Sequence, residues 1–218
     1  MEINTTPLEE LLQETLEARV ELTQTAKMVF DRRLSAGTGG NISCKYGRYI
    51  LISGARTCLG SLTQEDVVLT DMEGKVLSGD NPSSELPIHL AAYRKRADIG
   101  AIIHTHSPYI QVYAVANMPI DENILPDIVK NFGKIPCEEY HPPGSEELAQ
   151  HTAKYLTENN AVIMGNHGLL VVGKDLKQAF KFADTAEHYA NVCYLINNSN
   201  MLKKPIPEDQ VAALRAKR

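Results

Sequence analysis

The sequence predicts a mixed α/β domain in which amphipathic helices alternate with short apolar strands. Two observations carry this prediction: apolar residues recur at helical spacing near both ends of the chain, and short runs rich in β-branched residues lie between them. The length of 218 residues and the 43% hydrophobic composition suit one domain with a substantial buried core. We therefore expect residues 1–218 to form a single domain.

Charge and cysteine usage argue against several classes of protein. The net charge of −5 is mild, and no run of Lys and Arg alternates with aromatic residues, so we expect no nucleic-acid partner. The chain offers no signal-peptide core and no apolar run of about 18 residues, which predicts a cytoplasmic protein without a membrane partner. Four cysteines lie scattered without a Cys-X-X-Cys spacing and are interpreted as thiols: Cys44, Cys58, Cys137 and Cys193.

Apolar spacing from Pro7 to about Leu34 predicts one or two amphipathic helices. A glycine-rich turn then leads into a predicted hairpin of strands 42–45 and 49–55, which turns near Gly47. The remaining predicted elements are short strands within 67–77, a helix from Ser83 or Ser84 to about Arg96, a strand ending at 106, a helix over 107–116, a short element over 124–132, a short strand over 134–137, a helix from Ser145 to about Glu158, strands over 161–164 and 169–172, and a long helix from Leu176 to about Asn197.

The most informative strand ends in a His-X-His pair. Because side chains alternate along a strand, His104 and His106 are predicted to project from the same face, where two imidazoles one pleat apart can hold one metal ion. The alternative is a strand end with two ordinary histidines. Glu85 upstream and His167 downstream favour the metal site, because three imidazoles and one carboxylate suit zinc, although the set also admits manganese, cobalt or iron. His89, one helical turn after Glu85, is a further candidate ligand that ranks below the other three histidines.

Small polar residues at the ends of predicted elements form a candidate anion site. Asn41 follows the glycine turn, Ser53 and Gly54 end a hairpin strand, and Ser83 and Ser84 stand where they can cap a helix. A helix N-terminus with two hydroxyls attracts anions, and donor-rich ends of neighbouring strands can converge on one anion. The alternative is that the same residues form only a turn and a cap.

Five short motifs follow one another along the chain: Gly39-Gly40-Asn41-Ile42-Ser43, Ser53-Gly54, Pro82-Ser83-Ser84-Glu85, His104-Thr105-His106 and Asn166-His167-Gly168. In this order and approximate spacing they resemble the motifs of the class II aldolase/adducin family, and within it the L-fuculose-1-phosphate aldolase-like members. The resemblance covers about Leu11 to Asn197. It implies a three-layer α/β/α fold with a mainly antiparallel central sheet, and a homotetramer with active sites at subunit interfaces.

The resemblance also implies roles for individual residues. Zinc, one ion per subunit, would be bound by His104, His106 and His167, with Glu85 as fourth ligand in the resting enzyme and as the acid/base in turnover. A phosphorylated sugar would be the substrate, its phosphate held by Asn41, Ser53, Gly54, Ser83 and Ser84. The implied reaction is cleavage of a ketose 1-phosphate into dihydroxyacetone phosphate and an aldehyde through a metal-stabilised enediolate.

Other reactions share this frame, namely those of sugar-phosphate dehydratases, decarboxylases and 4-epimerases. A non-catalytic adducin-like descendant would be expected to lose the metal histidines, which this chain retains. Aldolases of this kind use a tyrosine of a neighbouring subunit on the C4 hydroxyl proton, and none stands around Asn123 to Pro126 or after Tyr194. The epimerase-like His-Ala-Asp segment is missing as well, which argues more directly against epimerisation. The tyrosines available as substitutes are Tyr109, Tyr113 and Tyr140.

Overall fold

An eight-stranded sheet runs through the molecule in the computed structural model, which describes residues 7–216. The strand order is β4-β3-β2-β1-β5-β8-β7-β6, and every neighbouring pair is antiparallel except β6 with β7. The predicted mainly antiparallel sheet is therefore confirmed. The strands are β1 Asn41–Tyr46, β2 Tyr49–Ser53, β3 Val67–Asp71, β4 Val76–Ser78, β5 Ala101–Thr105, β6 Cys137–Glu138, β7 Ala161–Met164 and β8 Gly168–Gly173.

Helices cover both faces of the sheet and complete the three layers. The helices α3 and α6 pack on one face, and α2, α4 and α7 contribute to a second apolar core on the other. Among the described residues, no helix combines the length and apolar character needed to cross a membrane. The helices are α1 Pro7–Glu14, α2 Leu16–Asp31, α3 Leu86–Lys95, α4 Pro108–Ala116, α5 Pro126–Asn131, α6 Glu146–Tyr155, α7 Leu176–Asn197 and α8 Glu208–Arg215, with a 3-10 turn at Leu59–Ser61.

Strand alternation decides which residues meet α3. In β5, Ile103 packs in the core under α7 while Ile102 packs in the core under α3. His104 lies two residues beyond Ile102 and therefore shares its face. In β1, Asn41 pairs with His104 and Ser43 with Ile102, so the polar residues of β1 also turn toward α3. Asn41, Ser43 and His104 thus lie in the otherwise apolar layer between the sheet and α3.

Three element predictions need correction. The helix predicted from Ser83 or Ser84 begins at Leu86, because Ser83 forms a turn whose carbonyl accepts the Leu86 amide hydrogen at 3.0 Å. The strand predicted over 134–137 is displaced to β6, since Ile135 instead pairs with Ile120 in an isolated bridge. The helix α8 was not predicted, because Val211 is its single buried apolar residue and leaves no helical pattern.

Candidate active site

Three histidines converge at one end of the two central strands. The Nε2 atoms of His104 and His106 lie 2.8 Å apart, and the ligand atoms of these two residues and of His167 all lie within 4.8 Å of one another. His104 is completely buried, whereas His106 and His167 are partly exposed. The structure therefore brings together the three histidines that the sequence singled out.

The sheet itself fixes the ring of His104. Its Nδ1 atom lies 2.9 Å from the backbone carbonyl oxygen of Leu169 on β8. A carbonyl oxygen only accepts, so Nδ1 must carry the hydrogen, and Nε2 presents a lone pair to the other two imidazoles. This backbone partner is the kind that orients metal-bound histidines in proteins.

Two glycines leave room for the imidazole rings. A Cβ atom on Gly39 would lie 2.7 Å from Nδ1 of His106, and one on Gly168 would lie 2.3 Å from the Thr105 carbonyl oxygen and 3.2 Å from Cε1 of His104. The distances of 2.7 and 2.3 Å are shorter than non-bonded contacts allow, and the 3.2 Å distance is tight. The glycines of the first and last sequence motifs are thus explained by the packing of the histidine cluster.

The carboxylate of Glu85 lies against this cluster from the position just before α3. Its Oε2 atom is 3.2 Å from Nε2 of His104, and its Oε1 atom is 3.3 Å from Nε2 of His167. The side-chain amide of Asn41 donates to Oε2 at 2.7 Å. Within the part of the chain that the structure describes, the buried Oε1 atom has no hydrogen-bond donor.

Charge in the cluster follows from burial. Desolvation lowers the pKa of His104 to about 3, against the opposing attraction of Glu85, and it also lowers the pKa of His106 and of His167. Burial alone raises the pKa of Glu85, but the adjacent His104 and His167 and the Asn41 amide outweigh it and hold that pKa below its ordinary value. Neutral imidazoles facing an ionised carboxylate form an electron-rich donor set.

This donor set fits a divalent metal ion. Three imidazole nitrogens and one carboxylate oxygen match the ligands that zinc takes in proteins. The undonated Oε1 atom of Glu85 and the converging Nε2 atoms of the histidines are the groups that a cation would satisfy. The three histidines are thus arranged so that they could hold a metal ion, and the Glu85 carboxylate lies beside two of them.

His89 is not part of that donor set. The residue is completely buried, with Nε2 lying 2.6 Å from Oδ1 of Asn41 and Nδ1 lying 2.7 Å from Oγ of Ser43. Both ring nitrogens are therefore engaged on the far side of Asn41 from the histidine cluster. The candidate role of His89 as a ligand is wrong, and its contacts connect it to Glu85 only through Asn41.

The candidate anion donors form a group beside Glu85, which we call the anion corner: Asn41, Ser53, Gly54, Ser83 and Ser84. The Ser83 amide donates to the Ser53 carbonyl oxygen at 3.1 Å, and Gly54 bridges to Pro82. The Oγ atoms of Ser53 and Ser83 each accept a backbone amide hydrogen, from Ile42 at 3.2 Å and from Glu85 at 3.3 Å. Each of these two hydroxyls consequently keeps its own hydrogen for another acceptor.

The other members of the corner differ in how they are engaged. The amide hydrogen of Gly54 is donated to the Asp66 carbonyl oxygen at 2.8 Å, so Gly54 offers close backbone approach rather than a free donor. Ser84 is exposed to solvent. Asn41 donates to Glu85 and still has a second amide hydrogen. The corner therefore presents hydroxyl donors next to the carboxylate.

Two functional candidates went unnoticed in the sequence. Ser43 and Tyr93 are hydrogen-bonded to each other at 2.8 Å, and Ser43 contacts His89. The sequence does contain a pattern that could have identified Tyr93: Glu85, His89 and Tyr93 recur at intervals of four residues and so share one side of a helix. Ser43 lies two residues after Asn41 and so shares its strand face.

The three tyrosines considered as substitutes differ in their contacts and exposure. The ring of Tyr109 lies 5.7 Å from that of Tyr194. Burial, with Cys193 and Glu122 nearby, raises the pKa of Tyr113 to about 12, and Asn197 is its hydrogen-bond partner. Tyr140 is 53% exposed. These contacts supply no second acid/base beside Glu85.

Comparisons with known proteins place these observations in a family. The model of the Class II Aldolase and Adducin N-terminal domain matches residues 20–194. An L-fuculose phosphate aldolase of Methanococcus maripaludis is 32% identical over 178 residues, covering 82% of this chain and 97% of the relative. A 3-oxo-tetronate 4-phosphate decarboxylase of Escherichia coli is 28% identical over 203 residues, covering 91% and 95%. A solved L-fuculose 1-phosphate aldolase superposes with a TM-score of 0.86 at 29% identity, over 93% of this chain and 96% of that one.

Proposed function

The chain belongs to the class II aldolase and adducin family, and we propose that it is a zinc-dependent aldolase that cleaves a ketose 1-phosphate into dihydroxyacetone phosphate and an aldehyde. The observation that carries this proposal is the position of Glu85. Its carboxylate lies within 3.3 Å of the Nε2 atoms of His104 and His167, and its backbone amide donates to the Oγ atom of Ser83 in the anion corner. One residue thus joins a candidate metal site to a candidate phosphate site.

The metal would be held by His104, His106 and His167, with Glu85 as fourth ligand before substrate binds. Zinc is the first choice for three imidazoles and a carboxylate, and manganese, cobalt and iron are the next. A bound divalent cation would polarise the substrate carbonyl and stabilise the negative charge that develops on bond cleavage.

The substrate phosphate would be held by the free hydroxyl hydrogens of Ser53 and Ser83, with the exposed Ser84 and the second amide hydrogen of Asn41. Gly54 would allow the phosphate to approach the backbone closely. Hydroxyl and amide donors hold phosphate without a positive side chain, particularly next to the start of a helix. The start of α3 at Leu86, one residue after Glu85, supplies that helix N-terminus.

The two oxygen atoms of the Glu85 carboxylate differ in their availability for proton transfer. Cleavage of the C3–C4 bond removes the C4 hydroxyl proton, makes C4 an aldehyde carbon and leaves the bonding electron pair on C3. Oε2 of Glu85 is held by Asn41, whereas Oε1 has no donor among the described residues. Cleavage neither gains nor loses protons overall, because the proton lost from the C4 hydroxyl is matched by one gained at C3. We assign Oε1 as the atom that removes the C3 proton in the direction of aldol addition and returns it in cleavage, with water on the open side of the site taking up the C4 hydroxyl proton and supplying the proton that Oε1 carries.

A second candidate reaction is decarboxylation of a 3-oxo sugar-acid phosphate. A relative named for this reaction, the Escherichia coli decarboxylase, matches 91% of this chain. Loss of carbon dioxide leaves the same electron pair next to the carbonyl and requires no base for a C4 hydroxyl.

One coupled assay separates the two reactions. Release of dihydroxyacetone phosphate is followed with purified protein, with and without chelator, on L-fuculose 1-phosphate and other ketose 1-phosphates, and in parallel on 3-oxo-tetronate 4-phosphate. Release from a ketose 1-phosphate that chelation abolishes and zinc restores is the expected result. Release from the 3-oxo acid alone would establish the decarboxylase, and a metal-loaded protein inactive on both kinds of substrate would overturn both candidates.

We further propose that residues 1–218 form a single domain and that the enzyme is a cytoplasmic homotetramer with active sites at subunit interfaces. Support comes from α4 and the residues just after it, since Val112 and Val115 on the helix and Met118 beyond it present exposed apolar side chains. On the same helix, the Gln111 side chain donates to the His167 carbonyl oxygen at 3.2 Å. A subunit docked on α4 would therefore lie one helical turn from a metal-site loop. Light scattering of the purified protein tests the subunit number.

A further inference from the structure

A continuous line of five buried polar residues runs from Glu85 through the layer between α3 and the sheet. Asn41 donates to Glu85 at 2.7 Å, His89 contacts Asn41 at 2.6 Å, Ser43 contacts His89 at 2.7 Å and Tyr93 contacts Ser43 at 2.8 Å. All five side chains are at most 6% exposed. Burying polar groups this deeply lowers the stability of the fold unless each one is hydrogen-bonded, so the arrangement of donors and acceptors along this line is tightly constrained.

The direction of each hydrogen bond follows from the acceptor at its end. An ionised Glu85 only accepts, so Asn41 turns its amide nitrogen toward Glu85 and its Oδ1 atom toward His89. Nε2 of His89 must then carry a hydrogen. Burial lowers the pKa of His89 to about 4, so the ring is neutral and its Nδ1 atom is an acceptor. Ser43 therefore donates to His89 and accepts from the Tyr93 hydroxyl, and every donor in the line points toward the carboxylate.

We propose that His89, with Ser43 and Tyr93 behind it, is a positioning residue that locks the Asn41 amide onto Oε2 of Glu85 and leaves Oε1 as the proton-carrying atom. The proposal rests on the proposed acid/base role of Glu85. Without the His89 donor, the Asn41 amide is free to turn its oxygen toward the carboxylate, which would repel it. Aligned hydrogen bonds also polarise one another, so the bond to Oε2 gains from the whole line.

The same line is not a path for protons. A primary amide does not pass a proton from its oxygen to its nitrogen in the manner of a hydroxyl or an imidazole, so Asn41 interrupts any relay between His89 and Glu85. The deep end of the line is also closed, because Tyr93 is 2% exposed. The geometry therefore assigns orientation to this network and leaves proton exchange with solvent to the open side of the site.

Two nearly isosteric substitutions test the assignment. His89→Gln keeps an amide donor close to the place of Nε2, whereas His89→Leu fills similar space without one. With L-fuculose 1-phosphate or whichever panel substrate is turned over, we expect His89→Leu to lower kcat about 10- to 100-fold with bound zinc retained. We expect His89→Gln to stay within about threefold of wild type, with KM little changed in either variant. His188→Gln on the exposed face of α7 is the matched control and should behave as wild type.

A second measurement does not depend on turnover. In protein labelled with ¹⁵N-histidine, the ring nitrogens of His89 should show a neutral imidazole with the hydrogen on Nε2, assigned by the signals missing from His89→Gln. A hydrogen on Nδ1, a charged ring, or equal kcat values for the Gln and Leu variants would overturn the positioning role. If no substrate is turned over, the proposed function fails, while the spectrum still decides whether the donor order exists.

Discussion

The Nδ1 atom of His104 on β5 donates to the carbonyl oxygen of Leu169 on β8, across 2.9 Å. The two strands pair with His104 opposite Leu170 and Thr105 opposite Leu169, so the same register that builds the sheet also selects the tautomer of the metal-type histidine. Orientation of the Nε2 lone pair therefore precedes any metal binding.

Replacement of Glu85 by Gln should leave the protein folded and metal-binding while turnover falls about 10²- to 10⁴-fold, the usual contribution of a general acid/base. The reason is that an amide neither delivers nor removes a proton at C3. Zinc content and kcat are measured on the same preparations. Glu73→Gln, an exposed carboxylate change, should have no effect. Full activity of the metal-loaded Glu85→Gln protein would rule out the acid/base role.

Zinc removal should lower thermal stability. A ligand present at about 1,000 times its Kd stabilises the folded state by about 4 kcal/mol, which for a chain of this length corresponds to a rise in Tm of about 10 °C. Calorimetry of chelated and zinc-reloaded protein measures the shift. In His104→Ala the shift should disappear, whereas in His188→Ala it should remain. A shift of the same size in His104→Ala would place the stabilising metal elsewhere.

A methyl group at Gly168 should damage the site and the fold together. Its Cβ would lie 2.3 Å from the Thr105 carbonyl oxygen, and a clash with backbone in a packed strand pair costs at least about 2–3 kcal/mol. Gly47→Ala is the matched control, because that position is open and only its left-handed backbone opposes a side chain, at about 1 kcal/mol. Urea unfolding and zinc content compare the two. Equal losses in both variants would contradict the packing argument.

Glu138 should contribute a loss of stability as pH rises between about 4.5 and 7, opposite in sign to the contribution of the four histidines whose pKa values burial lowers. This carboxyl is 1% exposed, and burial raises its pKa to about 7 even though the Thr152 hydroxyl donates to it at 2.6 Å. Since its native pKa exceeds the unfolded value, this carboxyl binds more protons in the folded state across this window, and its contribution to stability falls as the pH increases. Glu138→Gln should remove that contribution, so that between pH 5 and pH 8 its stability to urea changes more favourably with rising pH than that of the wild type. The exposed neighbour Glu139 provides the control, and an unchanged slope in Glu138→Gln would show that the carboxyl titrates normally.

Much of this architecture could be predicted from the sequence. Strand alternation correctly placed His104 and His106 together, and short β-branched runs located β1, β2, β5, β7 and β8 to within a residue or two. Local rules failed where tertiary contacts decide the outcome. Ser83 looks like a helix cap, yet its amide pairs with Ser53 from a distant strand and α3 starts three residues later.

The contacts of His89 could not be predicted from sequence spacing alone. A histidine four residues after a metal-type glutamate fits a ligand pair by spacing alone. Which way it points depends on Asn41 and Ser43, which reach α3 only after β1 has joined the sheet. Sequence spacing could name the residues on one side of the helix, but the contacts with β1 decide which of them faces the histidine cluster.

The location of His104 and Asn41 on β5 and β1 has a consequence for motion. These strands are the fourth and fifth of eight in the sheet, so their amide hydrogens should exchange with solvent only through the rarest, most global openings. Ser84 and His167 belong instead to connecting segments at the rim. The Asn41 amide that holds Glu85, and the histidine that faces the same carboxylate, are thus anchored in the most protected strands, whereas Glu85 itself lies just before α3. The support of the proposed base is in this way separated from the segments through which a substrate would enter.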